Sequence, residues 1–364
     1  MYVTRLAYKS YRNLIDGSIS PGEGINIICG GNAQGKTNLL EALWLFTGGH
    51  SFRGTKDSEI PRLNMETGRN ADSCSLAIDF YSRDRDQKAQ LNIEKGRRST
   101  IINGVEKKSG TALIGKICAV IFSPEHLQLI KGGPGGRRNF VDAAICQIRP
   151  GYAKTLSSYQ RSVLQRNTLL KDITRHPDLM DTLDVWDMRL SKYGSILMEE
   201  RGKYISRISS EISKIYAGIS KHKEEISFCY KPSVDLGEQP LTECLLQSRS
   251  MDIRTGYSSR GPHRDDLNID INGISARMFA SQGQQRSAVL AMKLAEAQIL
   301  FEETGEAPII LLDDVLSELD ISRQDYLLNN LHDRQVFITC CTPDVILGGG
   351  KQFMVEKGEV EINS

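Results

Sequence analysis

A glycine-rich octapeptide near the start of the chain, Gly30-Gly31-Asn32-Ala33-Gln34-Gly35-Lys36-Thr37, limits the possible folds more than any other segment. It matches the pattern G-x-x-x-x-G-K-[ST], and each element has a physical use. Glycines permit positive φ, so successive N–H groups can turn inward around an anion. Lys36 then reaches the β- and γ-phosphates of a nucleoside triphosphate, and the Thr37 hydroxyl ligates Mg²⁺. Such a loop needs a strand before it and a helix after it. Ile25, Ile27 and Ile28 supply the strand. Leu39, Leu40, Leu43, Trp44 and Phe46 supply the apolar face of the helix, and Gly48-Gly49 stops it. The positive end of that helix lies beneath the phosphates. The segment therefore predicts a nucleotide site in an α/β fold.

A second acidic segment lies 277 residues beyond Lys36. Ile309-Ile310-Leu311-Leu312-Asp313-Asp314 is an unbroken apolar run that ends in two carboxylates. Parallel strands buried on both faces read this way, and ligands sit at their carboxyl ends. Asp313 is expected to share Mg²⁺ with Thr37, and Asp314 to orient or deprotonate the attacking water. The nucleotide site must then be assembled from both ends of the chain.

The residues between the two segments change period. Short β-like runs and turns fill the first 150 or so, including an Asn103-Gly104 hairpin and a glycine-proline block at residues 131–139 read as punctuation. From Tyr152 the spacing becomes helical. Trp186, Leu190, Tyr193, Leu197, Tyr204, Ile208, Ile212, Ile215 and Ile219 form one nearly heptad stripe, far longer than a mean helix of about 11–12 residues. Leu156, Tyr159, Val163 and Leu170 mark an earlier helix, and His176-Pro177 breaks the two apart. This pair suits either a core bundle or an arm projecting from a globular head. Beyond Gly237 turns return, with a second hairpin at Asn272-Gly273. The expected layout is an N-terminal head segment at 1–150, a helical insertion at 151–235 and a C-terminal head segment at 236–364.

Composition narrows the setting. Of 364 residues, 46 are basic and 45 acidic, so net charge neither demands nor excludes nucleic acid. No stretch approaches the ~18 apolar residues of a membrane span. The amino terminus has neither the basic nor the apolar region of a signal peptide, which points to the cytoplasm. Cys29, Cys74, Cys118, Cys146, Cys229, Cys244, Cys340 and Cys341 form no C-x-x-C pair and lie mostly in apolar segments. They are expected to be reduced, buried thiols.

Ser281-Gln282-Gly283-Gln284, opening an Ala/Leu/Met-rich helix, resembles the signature loop of ABC-type ATPases, and Ser317-Glu318-Leu319-Asp320 resembles their D-loop. With Tyr11-Arg12-Asn13-Leu14, Ser51-Phe52-Arg53, Gly136-Arg137-Arg138 and Gly261-Pro262-His263-Arg264-Asp265-Asp266, the chain resembles the RecF family of bacterial recombination mediators, SMC-like ABC-type ATPases. The blocks run from residue 11 to residue 320. The resemblance implies an ATPase head with a short arm, and a slow hydrolysis that acts as a release clock. It implies an ATP-dependent homodimer that binds double-stranded DNA next to single-stranded gaps. It also implies RecR as a partner, and RecO through it, in loading RecA during repair, replication restart and SOS induction. By position, Ser281, Gly283 and Gln284 would act on the partner subunit's ATP, and Arg12 and Asn13 would touch nucleotide from the first strand.

Two features depart from the general ABC pattern. Ile338-Thr339-Cys340-Cys341-Thr342 lacks a switch histidine, and Ser123-Pro124-Glu125 occupies the place of the glutamine loop. For DNA phosphates, Arg137, Arg138, Arg149, Lys192, Arg201, Lys203, Arg207 and Lys214 are candidates, against the alternative of a solvated, charge-paired helix face. An ABC transporter subunit and a small-molecule P-loop kinase are the competing classes. The long spacing argues against the first, and the Ser281 loop against the second.

Overall fold

The computed structural model describes residues 1–64, 67–235, 237, 239–341 and 350–363. Thr342, the last residue of the segment searched for a switch histidine, lies outside them. The chain divides into two compact units, residues 1–126 with 290–364, and residues 127–289.

Two six-stranded sheets enclose the core of the first unit. The parallel sheet runs in the order Ala119–Phe122, Ile309–Leu312, Val336–Cys340, Ile25–Cys29 and Lys351–Glu356, with Glu359–Asn363 antiparallel at its edge. Ile309–Leu312 is buried at every position, as its unbroken apolar sequence requires. A strand from near the amino terminus therefore lies among strands from the carboxyl terminus. The antiparallel sheet is built on Tyr2–Lys9, Ser73–Ser82, Arg85–Glu94 and Arg97–Ile102. Along Ser73–Ser82 every second residue is buried, the period-2 signature of a sheet with one face on the core. Helix Lys36–Leu45 lies in that core, with Leu39, Leu40 and Leu45 inaccessible to solvent.

Both Asn-Gly hairpins form. Asn103 and Gly104 take φ of 49° and 82°, Asn272 and Gly273 take 51° and 75°, and each pair joins strands in two-residue register.

The second unit contains the expected helices, Pro150–Ile173 and Leu183–Ile219. Leu190, Leu197, Tyr204, Ile208 and Ile212 of the stripe are buried, whereas Trp186, Tyr193, Ile215 and Ile219 are half-buried. The long helix packs on Pro150–Ile173, on strand Ile226–Lys231 and on helix Leu241–Thr255, so its stripe belongs to the core of this unit. The glycine-proline block is a correction to the sequence reading. It opens a helix, Pro134–Ile148, with the proline at the first helical positions where its missing N–H costs nothing.

The units also divide at places other than 150 and 236. Residues 127–150 and 236–289 go with the helices because buried arginines tie them there. Arg137 makes paired bonds to Asp266 (2.7 and 3.0 Å). Arg201 is held by Asp142 at 2.8 and 2.9 Å and by Asp265 at 3.2 Å. Arg166, fully buried, binds Asp187 (2.6 Å), Asp252 (2.7 Å) and Ser258 (2.8 Å). Buried ions persist only when paired in this way.

His263 sits among these groups. Its Nδ1 lies 2.7 Å from the Tyr159 hydroxyl and its Nε2 lies 3.0 Å from the Ser258 carbonyl. A neutral ring satisfies both contacts by accepting at Nδ1 and donating at Nε2. Burial first, and then the nearby Arg264 and Arg138 charges, push its pKa down to about 4. A pKa depressed in the folded state means that stability is full above the unfolded value, about 6.5, and is lost as pH falls towards 4. Denaturant unfolding between pH 7 and 4 should show this as a loss on the order of 3 kcal/mol, and His263→Gln should flatten that part of the profile.

Candidate nucleotide site

The parallel sheet brings the two sequence segments to one edge. Cys29 and Leu312 end strands that flank Val336–Cys340, with Ile338 opposite both Ile27 and Leu312. The octapeptide and the acidic pair thus leave the sheet at the carboxyl ends of its strands, where α/β sheets place ligands.

The glycines of the loop are required by its geometry. Gly30 has φ +152°, and a Cβ there would lie 2.3 Å from the Val355 carbonyl oxygen. Gly35 has φ +122°, and a Cβ there would lie 2.7 Å from Leu14 and 2.9 Å from Asn13 Oδ1. Lys36 begins the helix and folds its ammonium back over the loop, donating to the carbonyls of Gly30 (2.7 Å) and Gly31 (3.0 Å). The lysine is therefore held on the loop by two neutral acceptors.

Thr37 donates to Asp313 Oδ1 at 2.9 Å, so the two residues expected to share a cation meet directly. The same carboxylate oxygen accepts from Thr339 at 3.0 Å, and the Thr339 hydroxyl accepts from the Asp314 N–H at 2.8 Å. Burial raises the Asp313 pKa. Asp314 and Glu125 raise it further, against the two hydroxyl bonds that lower it. Asp314 itself sits at φ 51°, a strained conformation for a non-glycine residue and one found at functional sites. Thr339 and Glu125 are contributors that motif matching did not assign. The only signals were a threonine in the strand lacking a histidine, and an acid where an amide was expected.

Arg12 and Asn13 take different places. Asn13 donates to the carbonyls of Ala33 (3.1 Å) and Gln34 (3.2 Å), and its Oδ1 accepts from Asn38 (2.7 Å), so it staples the crown of the loop. Asn32 Oδ1 lies 3.2 Å from the Cys341 thiol, and Gln34 accepts from the Lys357 N–H. The Arg12 guanidinium is occupied one step away. It binds both oxygens of Glu41 (2.7 and 2.8 Å), the Thr55 hydroxyl and the Glu59 carbonyl. Burial pushes the Glu41 carboxyl up. The bonds from Arg12, Ser51 and Tyr11 more than offset this and hold it below its ordinary value.

In the second unit, Ser281 and Gln284 form a reciprocal helix cap. Gln284 N–H donates to Ser281 Oγ (3.2 Å), and Ser281 N–H donates to Gln284 Oε1 (2.8 Å). This is a capping box, and it fixes the start of helix Gln282–Thr304 with Ser281 exposed and Gly283 half-buried in its first turn. Met278 and Phe279, just before it, are also exposed. Asp320 of the D-loop caps helix Ile321–Asn329 by accepting from Arg323 N–H (3.0 Å).

Comparison with known proteins agrees with this arrangement. The model for the RecF/RecN/SMC N terminal domain matches residues 2–363. A DNA replication and repair protein RecF from Agathobacter rectalis is 38% identical, covering 100% of this chain and 99% of that protein. The chain belongs to the RecF family. A second RecF, from Acetivibrio thermocellus, is 39% identical over 93% of each chain. A solved structure described as the recombination mediator protein RecF-ATP in the RecFOR pathway superposes with a TM-score of 0.92 at 35% identity. It covers 100% of this chain and 98% of that one. An Smc head domain derived from Pyrococcus furiosus aligns with a TM-score of 0.56 at 16% identity, a likeness of fold alone. The fold is therefore α/β and ABC-ATPase-like, as expected for the family.

Most of the arginines and lysines considered for DNA are engaged by the protein itself. Arg137 and Arg201 are buried in ion pairs, Arg138 donates to the Asp265 carbonyl (2.8 Å), and Arg149 pairs with Glu200. Lys203 and Lys214 lie 2.6 Å from Glu199 and Glu211 on their own helix. Lys203 and Lys214 thus lie on an exposed, acid-paired helix face, whereas Arg137 and Arg201 are buried and Arg138 is held by a backbone carbonyl.

Arg12→Met would leave the Glu41 carboxylate buried without its cation. Unfolding in denaturant should show a loss of about 3–5 kcal/mol, as when one partner of a buried pair is removed. Glu41→Gln with Arg12→Met should recover part of it.

Proposed function

We propose that this chain is an ATP-dependent recombination mediator of DNA replication and repair, in which ATP joins two copies on double-stranded DNA beside single-stranded gaps. The observation that carries the reading is the meeting of Lys36 and Thr37 with Asp313 and Asp314 at one sheet edge. Residues 30–37 supply the inward N–H groups for the phosphates, and Asn13 steadies them. The relatives' printed names and the ATP-bound RecF structure support both the nucleotide and the repair context.

Mg²⁺ fits the Thr37–Asp313 pair. A hydroxyl and a carboxylate converge there, and Asp313 is pressed by two further carboxylates that a cation would relieve. Among the described residues no group of three or more His, Cys, Asp or Glu is placed to hold a metal, so phosphate and water would complete the shell. When bound, the ion neutralises charge on the β- and γ-phosphates. Thr339 holds the Asp314 backbone N–H, the Asp314 carboxylate would orient water, and Glu125 adds a second acid. Hydrolysis on this reading is slow and stimulated by DNA, acting as a timer for release.

Ser281, Gly283 and Gln284 present an exposed helix amino end suited to the γ-phosphate of the partner copy's ATP. Two ATP molecules would then be shared by two chains, and ATP's preference for the dimer drives association. RecR, and RecO through it, are the partners proposed for loading RecA, in the cytoplasm.

Light scattering with a non-hydrolysable ATP analogue tests the reading. Wild type should double in mass. Ser281→Arg should bind nucleotide and remain monomeric, and Lys36→Met should lose both properties. A wild type that binds nucleotide and stays monomeric would defeat the shared-site reading. A DNA shift that ATP strengthens and salt weakens favours the repair reading over a small-molecule kinase.

A further inference from the structure

Three thiols gather where the phosphate loop leaves the sheet, and neither the motif nor the proposed chemistry uses them. Cys29 is the last residue of strand Ile25–Cys29, and Cys340 is the last of strand Val336–Cys340. The two are paired in register, with Sγ atoms 3.1 Å apart. Neighbouring strands run about 4.8 Å apart, within the Cα separation of about 4.4–6.8 Å that a disulfide spans. Cys29 is buried and Cys340 half-buried. Cys341, next in the chain, is exposed, and its thiol lies 3.2 Å from Asn32 Oδ1 and 3.8 Å from Lys36 Nζ.

We propose that Cys29 and Cys340 form a redox latch on the nucleotide loop, in which a peroxide-class oxidant links them and weakens nucleotide binding. The inference rests on the nucleotide reading above. The step balances as two thiols and one hydrogen peroxide giving one disulfide and two waters. Two S–H bonds and the O–O bond break, one S–S bond and two O–H bonds form, and the sulfurs lose the two electrons that the peroxide gains.

The fold transmits the link directly. Gly30 follows Cys29 and has no slack, since even a Cβ there would meet the Val355 carbonyl at 2.3 Å. The Gly30 carbonyl is also one of the two acceptors holding Lys36. On the other strand, Cys340 is bonded in sequence to Cys341, whose thiol touches Asn32 in the loop. A covalent tie between the strand ends therefore fixes the base of the loop while Lys36 is still turned onto its carbonyls. Burial, and then the neighbouring Cys29 thiol, raise the Cys340 pKa to about 12, so Cys340 rests as a thiol. In a reducing compartment, persistent disulfides are rare and transient ones are typically redox-sensing or catalytic.

The test titrates a fluorescent ATP analogue into the full chain, reduced or treated with hydrogen peroxide, with peptides mapped by mass spectrometry without reductant. Wild type should show a linked Cys29–Cys340 peptide and about tenfold weaker binding, a change of about 1.4 kcal/mol. Dithiothreitol should reverse both. Cys340→Ser, with Cys29→Ser as the second variant, should bind nucleotide equally with and without peroxide. Absence of the linked peptide, or unchanged affinity in linked protein, overturns the latch. So does a peroxide-sensitive Cys340→Ser, which would assign the effect to another thiol. Reduced wild type that binds no nucleotide overturns the functional reading itself, an outcome visible before any oxidant is added.

Discussion

The Asp313 carboxylate joins three parts of the sequence that lie far apart along the chain. One of its oxygens accepts from Thr37, just after the phosphate loop, and from Thr339, at the far end of the next strand. Thr339 in turn accepts from the Asp314 backbone. These contacts exist only because Val336–Cys340 lies between Ile25–Cys29 and Ile309–Leu312 in the parallel sheet. Parallel pairing between chain ends is a long-range event that local propensity cannot start, and such topologies fold slowly. The apolar burial of both strands, and not the polar site, stabilises the arrangement. The site takes its geometry from a core formed for other reasons.

The second unit solves a different problem, and its solution reorders the roles of its basic residues. In Gly261-Pro262-His263-Arg264-Asp265-Asp266 the two acids hold arginines from two helices. Asp265 receives Arg201, the Tyr230 hydroxyl and the Ser233 N–H, while Asp266 receives Arg137. A buried ion pair adds little net stability but strongly penalises any packing that separates its members. The block therefore specifies which helix lies against which strand. Positive charge spent inside the unit, at Arg137 and Arg201, is withdrawn from phosphate binding.

The sequence made the nucleotide site legible because strand, loop and helix there follow from short-range rules. Glycine φ values, an apolar strand and a helix start all lie within about 20 residues. The two Asn-Gly hairpins were legible for the same reason. Residues 131–139 were misread because proline and glycine signal a turn locally, yet proline also suits the first turn of a helix. The family resemblance alone assigns Arg12 to the nucleotide, by position. Only the fold reveals that Glu41, 29 residues on, lies within reach of its guanidinium. The exposure of Cys229 and Cys341 was also hidden, since apolar neighbours in sequence predict burial of a strand but not of each of its faces.

Charge in the site favours a coupled ligand over a bare one. Burial, and then Asp314 and Glu125, keep the Asp313 pKa up, and the positive group on the loop, Lys36, already faces two carbonyls. A triphosphate entering alone would bring more negative charge towards three carboxylates and offer them nothing. On the proposed reading, a divalent cation held by Asp313 and Thr37 would supply the positive charge that this crowding of acids lacks. The lysine gains at the same moment, since a phosphate oxygen is a better acceptor for an ammonium than a neutral carbonyl. Nucleotide and cation are therefore expected to bind with positive coupling. That coupling arises from the crowding of acids at one sheet edge, a feature that the octapeptide alone does not encode.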